Sequence, residues 1–215
     1  MQDFPVFTTQ NGVASLILKE IPYTGEAYIT IQDSSSPEEL LKECVDFCKI
    51  AGAEKIYAKG HTCLESYPLH TAIWQMSRLR EDLPTSDALL FPVTEKTISH
   101  WREIYNKKMA DVDNAATMTK AEGEKLLARG AGYFVHKDGE LLGIGIAEGE
   151  TVDAVVAVKH GAGETVMLTL CGSLFSEKIL LEVASTNTKA LRLYDKLGFI
   201  KTAELSRWYD VTKLL

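Results

Sequence analysis

Leu181-Glu182-Val183-Ala184-Ser185-Thr186-Asn187-Thr188-Lys189-Ala190-Leu191-Arg192-Leu193-Tyr194-Asp195-Lys196-Leu197-Gly198-Phe199 is the stretch of this 215-residue sequence from which the fold is read. An apolar run over 179–184 has the character of a central strand, covered on both faces. A polar turn follows, then a helical pattern over 188–197 that stops at Gly198. Asn187, Leu191 and Tyr194 are spaced i, i+4 and i+7, so they fall on one helical face. Asn187 is also a favoured residue type for capping a helix. Glu182 is the single charge in the apolar run. A carboxylate buried there is costly without a partner or a role, and desolvation would raise its pKa toward the range of a general base. Its structural alternatives are ion pairs with Lys178, Arg192 or Arg207. Tyr194 offers a phenolic proton, or simply a core ring at a helix end.

Upstream, Val158-Lys159-His160-Gly161-Ala162-Gly163-Glu164-Thr165-Val166-Met167-Leu168 reads as the end of a strand, a glycine-rich loop and a helix start. The first turn of a helix presents unpaired N–H groups and the positive end of its dipole, a natural place for a phosphate. The loop lacks the Lys-Ser/Thr ending and the spacer of a nucleotide-binding P-loop. Gly143-Ile144-Gly145 lies inside a strand pattern, where glycine marks a bulge or close packing.

The first stretch resembles the second signature motif of the GNAT superfamily of acyl-CoA-dependent N-acyltransferases, L-E-V-x-x-x-N-x-x-A-x-x-L-Y-x-x-L-G-F, and matches it at every named position. The upstream loop matches the first motif, R/Q-x-x-G-x-G/A, in part: Gly163 stands at the key glycine, His160 replaces arginine or glutamine, Thr165 replaces the last small residue, and the link from strand to loop is shortened. The resemblance implies a mixed, splayed α/β sheet with acetyl-CoA bound as co-substrate where two parallel strands part. It implies that Tyr194 is the general acid that protonates the CoA sulfur, that Asn187 lies beside the pantetheine arm, and that Glu182 is the general base. It also implies that backbone groups of the 152–158 strand, Val156 and Val158 among them, and the loop residues His160, Gly161, Gly163, Glu164 and Thr165 contact the cofactor. The acceptor would be a small-molecule amine or a peptide amine, and the chain would pair as a homodimer. The departures in the loop define the alternative, a catalytically weak or inactive acyl-CoA-binding or protein-interaction module.

Working outward, residues 87–215 read as β-α-α-β-β-β-α-β-α-β, the expected acyltransferase domain. Its landmarks are Thr119 and Glu122 at capping-box spacing, the turn Lys137-Asp138-Gly139-Glu140 between two strands, and an apolar strand over 152–158. Residues 1–86 read as an N-terminal β-β-α-β region, a degenerate half of the same fold. Its helix starts at Ser36-Pro37 and ends near Gly52, and a second helix is expected over 67–80. The polar segment Glu81 to Asp87, with Pro84, separates the two regions.

Composition narrows the function classes. Apolar residues make up 46% and charged residues 25%, enough for a packed core without disulfides. The net charge of -7 disfavours a phosphate backbone, so no nucleic-acid partner is expected. Cys44, Cys48, Cys63 and Cys171 form no Cys-x-x-Cys pattern, and no metal is expected. No apolar run approaches the length of a membrane span. Met1-Gln2-Asp3-Phe4-Pro5 lacks a basic start before an apolar stretch, so the reading is of a cytoplasmic protein with no secretory signal and no membrane partner.

Overall fold

A computed structural model describes residues 5–214; the reading of the first four residues therefore lies outside the described residues. The elements follow the order β1 (Val6–Thr9), β2 (Gly12–Ile17), α1 (Ile21–Thr24), β3 (Glu26–Ser34), α2 (Pro37–Ile50), β4 (Lys55–Lys59), β5 (Leu69–Leu79), β6 (Leu89–Pro92), α3 (Ile98–Met109), α4 (Lys120–Arg129), β7 (Gly132–Lys137), β8 (Glu140–Glu148), β9 (Thr151–Ala157), α5 (Gly163–Ser173), β10 (Lys178–Ala184), α6 (Thr188–Lys196) and β11 (Ile200–Asp210). The mixed α/β class expected from the sequence is the one observed, including the N-terminal β-β-α-β arrangement. No helix among the described residues is long and apolar enough to cross a membrane.

The chain forms two compact units. One holds the described residues up to Ile73 and those from Leu205 on; the other holds Trp74–Glu204. In the first unit β1, β2 and β3 are antiparallel neighbours, and α2 then crosses to β4, which lies parallel to β3. The β3–β4 ladder runs without a break from Glu26↔Lys55 to Thr30↔Lys59. Against it, α2 buries Leu40, Leu41, Cys44, Val45 and Cys48. The i, i+4 pair of thiols is thus core, and burial pushes Cys44 up to about 12. Ser36 stands at the N-cap of α2 as expected, but its side chain makes no capping bond.

In the second unit β6, β7, β8 and β9 are successive antiparallel neighbours, and α5 crosses to β10, parallel to β9. Helices cover both faces. The α5 residues Val166, Met167, Leu170 and Cys171 pack with Ile179, Leu181 and Val183 of β10 on one side. On the other, Trp101 and Tyr105 of α3 and Leu126 of α4 pack on Ile144, Ile146, Ala154 and Val156. Trp101 Nε1 donates to the Tyr133 carbonyl at 3.0 Å and fixes α3 to β7. The capping box closes as read: Thr119 Oγ1 accepts from the Glu122 amide, and the Glu122 carboxylate accepts from the Thr119 amide. Asp138 and Gly139 both adopt positive φ, which is what the two-residue turn between β7 and β8 requires.

Two features of β8 and β9 position everything downstream. A Cβ on Gly145 would stand 2.2 Å from Leu170 Cδ1 and 2.8 Å from the Ala154 carbonyl oxygen, so α5 lies directly on glycine backbone. The β8–β9 register then slips by one residue: Ile146 faces Ala154 and Ala147 faces Val152, leaving Asp153 as the extra residue of a β-bulge.

The helix expected over 67–80 is a correction: the segment is the strand β5. Ala72 and Met76 are both buried four residues apart, which imitates a helical face. The β-branched and aromatic residues Thr71, Ile73 and Trp74 and the sheet partners on both edges decide for the extended form.

Gly145→Ala should lower the unfolding free energy by roughly 1–3 kcal/mol, the usual cost of overpacking a core. Urea denaturation measures it; an unchanged midpoint would mean that α5 can retreat from β8 freely.

Candidate functional site

The parallel pair β9 and β10 meets at one register position, Thr151↔Leu180, supported by the Leu180 amide donating to the Glu150 carbonyl at 2.8 Å. Beyond it the strands separate, and a notch opens between their C-terminal halves. The loop after β9 and the start of α5 stand at its mouth, with the turn after β10 and the start of α6 on the other side.

Which groups of β9 face the notch follows from ladder alternation. The Val158 amide donates to the Leu142 carbonyl at 2.9 Å, toward β8. Backbone groups two residues apart point the same way, so those of Val156 also face β8, while those of Val155 and Ala157 face the notch. The expectation that Val156 and Val158 present their backbone to a ligand is thereby corrected: Val158 is bonded across the ladder, and the Val156 side chain is in the core under α3 and α4. The bulge at Asp153 sets this phase, and nothing in the residue types announces it.

The loop from Val158 to Ala162 is short. Gly161 has φ +82°, a left-handed conformation for which glycine is the natural residue. Ala162 is the N-cap of α5 and offers no side-chain acceptor. The first intrahelical bond is from Val166 to the Ala162 carbonyl, so the amides of Gly163, Glu164 and Thr165 lie ahead of it at the helix N-terminus. His160 and Gly161 are exposed. The Glu164 carboxylate, a negative charge in the first turn of α5, is drawn into an ion pair with Lys196 of α6. Lys159 pairs with Glu140 at 2.5 Å. A Cβ on Gly163 would lie 3.5 Å from Leu193, an ordinary contact distance, so the start of α5 is a neighbour of α6.

Asn187 caps α6, its Oδ1 accepting from the Ala190 amide at 3.1 Å, and this leaves its amide nitrogen uncommitted to the cap. Tyr194 is the sole buried residue of α6. The end of the helix explains its setting. Gly198 adopts φ +75°, its amide donates to the Asp195 carbonyl at 3.0 Å, and the Phe199 amide donates to the Tyr194 carbonyl at 2.9 Å. This is a Schellman closure, whose usual apolar contact is here Tyr194 against Phe199 with ring centroids 6.0 Å apart. The spacing Y-x-x-L-G-F is therefore the code for a helix end that fixes one tyrosine. Burial, with the Cys171 thiol nearby as the lesser cause, pushes the Tyr194 phenol up to about 12.

Glu182 differs from expectation. Its side chain is exposed, because β10 turns Ile179, Leu181 and Val183 inward toward α5 and leaves Leu180 and Glu182 on the opposite face. The argument from burial fails for it, and no desolvated carboxylate stands in the strand. Two other carboxylates lie on the neighbouring strands: Glu148 pairs with Arg129 at 3.1 Å, and Asp153 sits exposed in the bulge. A separate groove of about 740 Å³ beside α5, lined by Arg80, Glu81, Ser86, Thr169 and Glu177 among others, contains none of the candidate catalytic or cofactor-binding residues.

No protein-family model matches the chain, and no curated protein matches it in sequence. Solved structures do. A GCN5-related N-acetyltransferase from Sphaerobacter thermophilus superposes with a TM-score of 0.56 at 10% identity, covering 92% of this chain and 76% of that one. A tandem GNAT protein from the clavulanic acid biosynthesis pathway gives 0.55 at 11%, covering 93% and 78%. A conserved protein of unknown function from Staphylococcus epidermidis gives 0.60 at 9%, covering 98% and 94%.

The fold is that of the GNAT superfamily. Within this GNAT fold the parted strands, the start of α5 and the buried tyrosine of α6 all belong to one unit, Trp74–Glu204.

The raised Tyr194 pKa has a pH consequence. The folded chain holds this proton more tightly than the unfolded one, so the contribution is fully present below pH 10 and is lost as pH rises from 10 through about 12. Stability of wild type measured by urea denaturation across that window should fall more steeply than that of Tyr194→Phe. Parallel curves would mean that the phenol is not held in a desolvated place.

Proposed function

We propose that this protein is an acyltransferase that moves an acetyl group from acetyl-CoA to a primary amine by direct attack. The observation that carries the reading is the parting of β9 from β10 after a single register pair, next to a helix N-terminus with no side-chain cap. An extended acyl-CoA arm would lie along the notch edge of Val155 and Ala157, exchanging backbone hydrogen bonds that the sheet leaves unmade. Its pyrophosphate would meet the Gly163, Glu164 and Thr165 amides, with His160 and Gly161 beside it and the Glu164 charge neutralised by Lys196. The uncommitted amide of Asn187 would contact the pantetheine.

In the reaction the amine nitrogen attacks the thioester carbonyl carbon, the C–S bond breaks, and an amide and free CoA thiol leave. Alignment of the two reactants supplies much of the rate. A notch-facing amide of β9 would hold the developing oxyanion. Glu182, exposed on the face of β10 opposite α5, would receive the amine proton directly or through water. Tyr194, protonated throughout the physiological range, would give its proton to the departing sulfur. The protons on Glu182 and off Tyr194 balance, so the enzyme returns to its starting state through solvent.

We further propose that residues 87–215 carry the catalytic domain and that residues 1–86 are a degenerate half of the same fold. In support, the first unit repeats the succession of three antiparallel strands, a crossover helix and a parallel strand. Its own parallel pair is zipped over five positions, and α2 begins with Pro37, Glu38 and Glu39, which remove one amide and repel an anion. The acceptor would be a small-molecule or peptide amine.

Calorimetric titration with acetyl-CoA should give one molar equivalent bound per chain. Two equivalents would overturn the closed state of the N-terminal copy. Absence of binding at millimolar acetyl-CoA would overturn the enzymatic reading in favour of a protein-interaction module. With an accepted amine, Tyr194→Phe should lower kcat by about a hundredfold, within the range for loss of a general acid, at little change in KM.

A further inference from the structure

Arg78 sits on β5, within the same unit as the notch, with its side chain about one-third exposed. Its Nη1 donates to the Gly198 carbonyl at 3.4 Å, and its Nη2 lies 3.5 Å from Asp82 Oδ2. Its Nε is buried without a hydrogen-bond partner. A guanidinium that is largely desolvated and held by two long contacts contributes little as an ion pair. Its position is more telling. A Cβ on Gly198 would stand 3.1 Å from the guanidinium carbon, so the fork is packed flat on the left-handed residue that closes α6.

That residue governs Tyr194. In the Schellman closure Gly198 is the turning point, and the Tyr194 carbonyl is bonded by the next amide. The helix has only nine residues, and Tyr194 is its one buried residue. Its C-terminus carries the negative end of the dipole, which a cation stabilises. The basic residue of the last turn, Lys196, is turned away to Glu164, so Arg78 supplies the charge at this end.

We propose that Arg78 is a positioning residue: it clamps the Gly198 turn from β5 and thereby fixes the Tyr194 ring. It does not touch the reacting atoms. The kinetic part of this inference rests on the acyltransferase reading; the placement of the ring does not.

Two measurements on Arg78→Met test it. First, alkaline titration of tyrosine absorbance is recorded for wild type and variant, each against its own Tyr194→Phe partner, so that the difference isolates one phenol. In the variant the Tyr194 midpoint should fall from about 12 toward the ordinary 10 as the ring gains solvent. Second, kcat for acyl transfer should drop by about tenfold to a hundredfold with KM for acetyl-CoA nearly unchanged, as expected for misplacement of a catalytic group. Arg78→Lys, which keeps the charge, should recover part of both. If Arg78→Met does not fold, Arg78→Gln is read in the same way. Wild-type midpoint and kcat in the neutral variants would overturn the proposal. If wild type itself transfers no acyl group, the acyltransferase reading falls, and the phenol titration alone decides the role of Arg78.

Discussion

A single extra residue in β9 underlies the arrangement of the site. Two residues of β9, Val152 and Asp153, fill the space opposite Ala147 of β8, and a bulge of this kind bends its strand and increases its twist. The bulge lies two residues after Thr151, the one position at which β9 pairs with β10. Pairing on the β10 side therefore ends where the bend begins. The same bulge sets the phase of the ladder beyond it, and so decides that Val155 and Ala157, not Val156 and Val158, turn their backbone toward the opening.

The N-terminal unit is a natural control for this explanation. Its β3 also carries an irregularity against its antiparallel neighbour: Val13 faces Asp33 and Ala14 faces Ile31, so Gln32 is the extra residue. That bulge lies beyond Thr30, the last residue of β3 paired with β4. The parallel ladder is complete before the strand bends. Gly60, at φ +105°, then brings the chain after β4 so near that a Cβ would lie 2.2 Å from the Ile31 carbonyl oxygen. The same succession of elements yields a closed pair or an open one according to where along the strand the bulge falls.

This contrast bears on what could be read from the sequence. The helix caps, the β7–β8 turn and the α6 stop were legible because each rests on local residue chemistry: Thr119 with Glu122, Asp138 with Gly139, Gly198 before Phe199. The strand β5 reads as a helix in the sequence because Ala72 and Met76 satisfy both periodicities, and its sheet partners are remote in sequence. Glu182 reads as buried in the sequence because the residues around it are apolar, yet alternation along β10 sends it outward with Leu180. The bulge at Asp153 has no residue signature, so the phase of β9 came only from the structure. Tyr194 is a buried ring at a helix end, a setting legible as one of its two sequence readings because the glycine and phenylalanine that hold it are its close neighbours in the chain.

An open strand pair carries an energetic cost that bounds its interpretation. Backbone N–H and C=O groups that face no partner must be met by water or by something else, since leaving them dry costs about as much as a lost hydrogen bond. In the second unit the notch edge of β9 at Val155 and Ala157 and the facing edge of β10 beyond Leu180 are both released from each other. In the first unit the equivalent groups are paired through all five residues of β4. Pairing is the cheaper state for two parallel strands joined by a crossover helix. The second unit departs from it while keeping α5 locked on Gly143 and Gly145, and the bulge holds the edges apart. For the acyl-CoA arm proposed above, edges already held apart would exchange water for an extended ligand backbone with no strands to pull apart first.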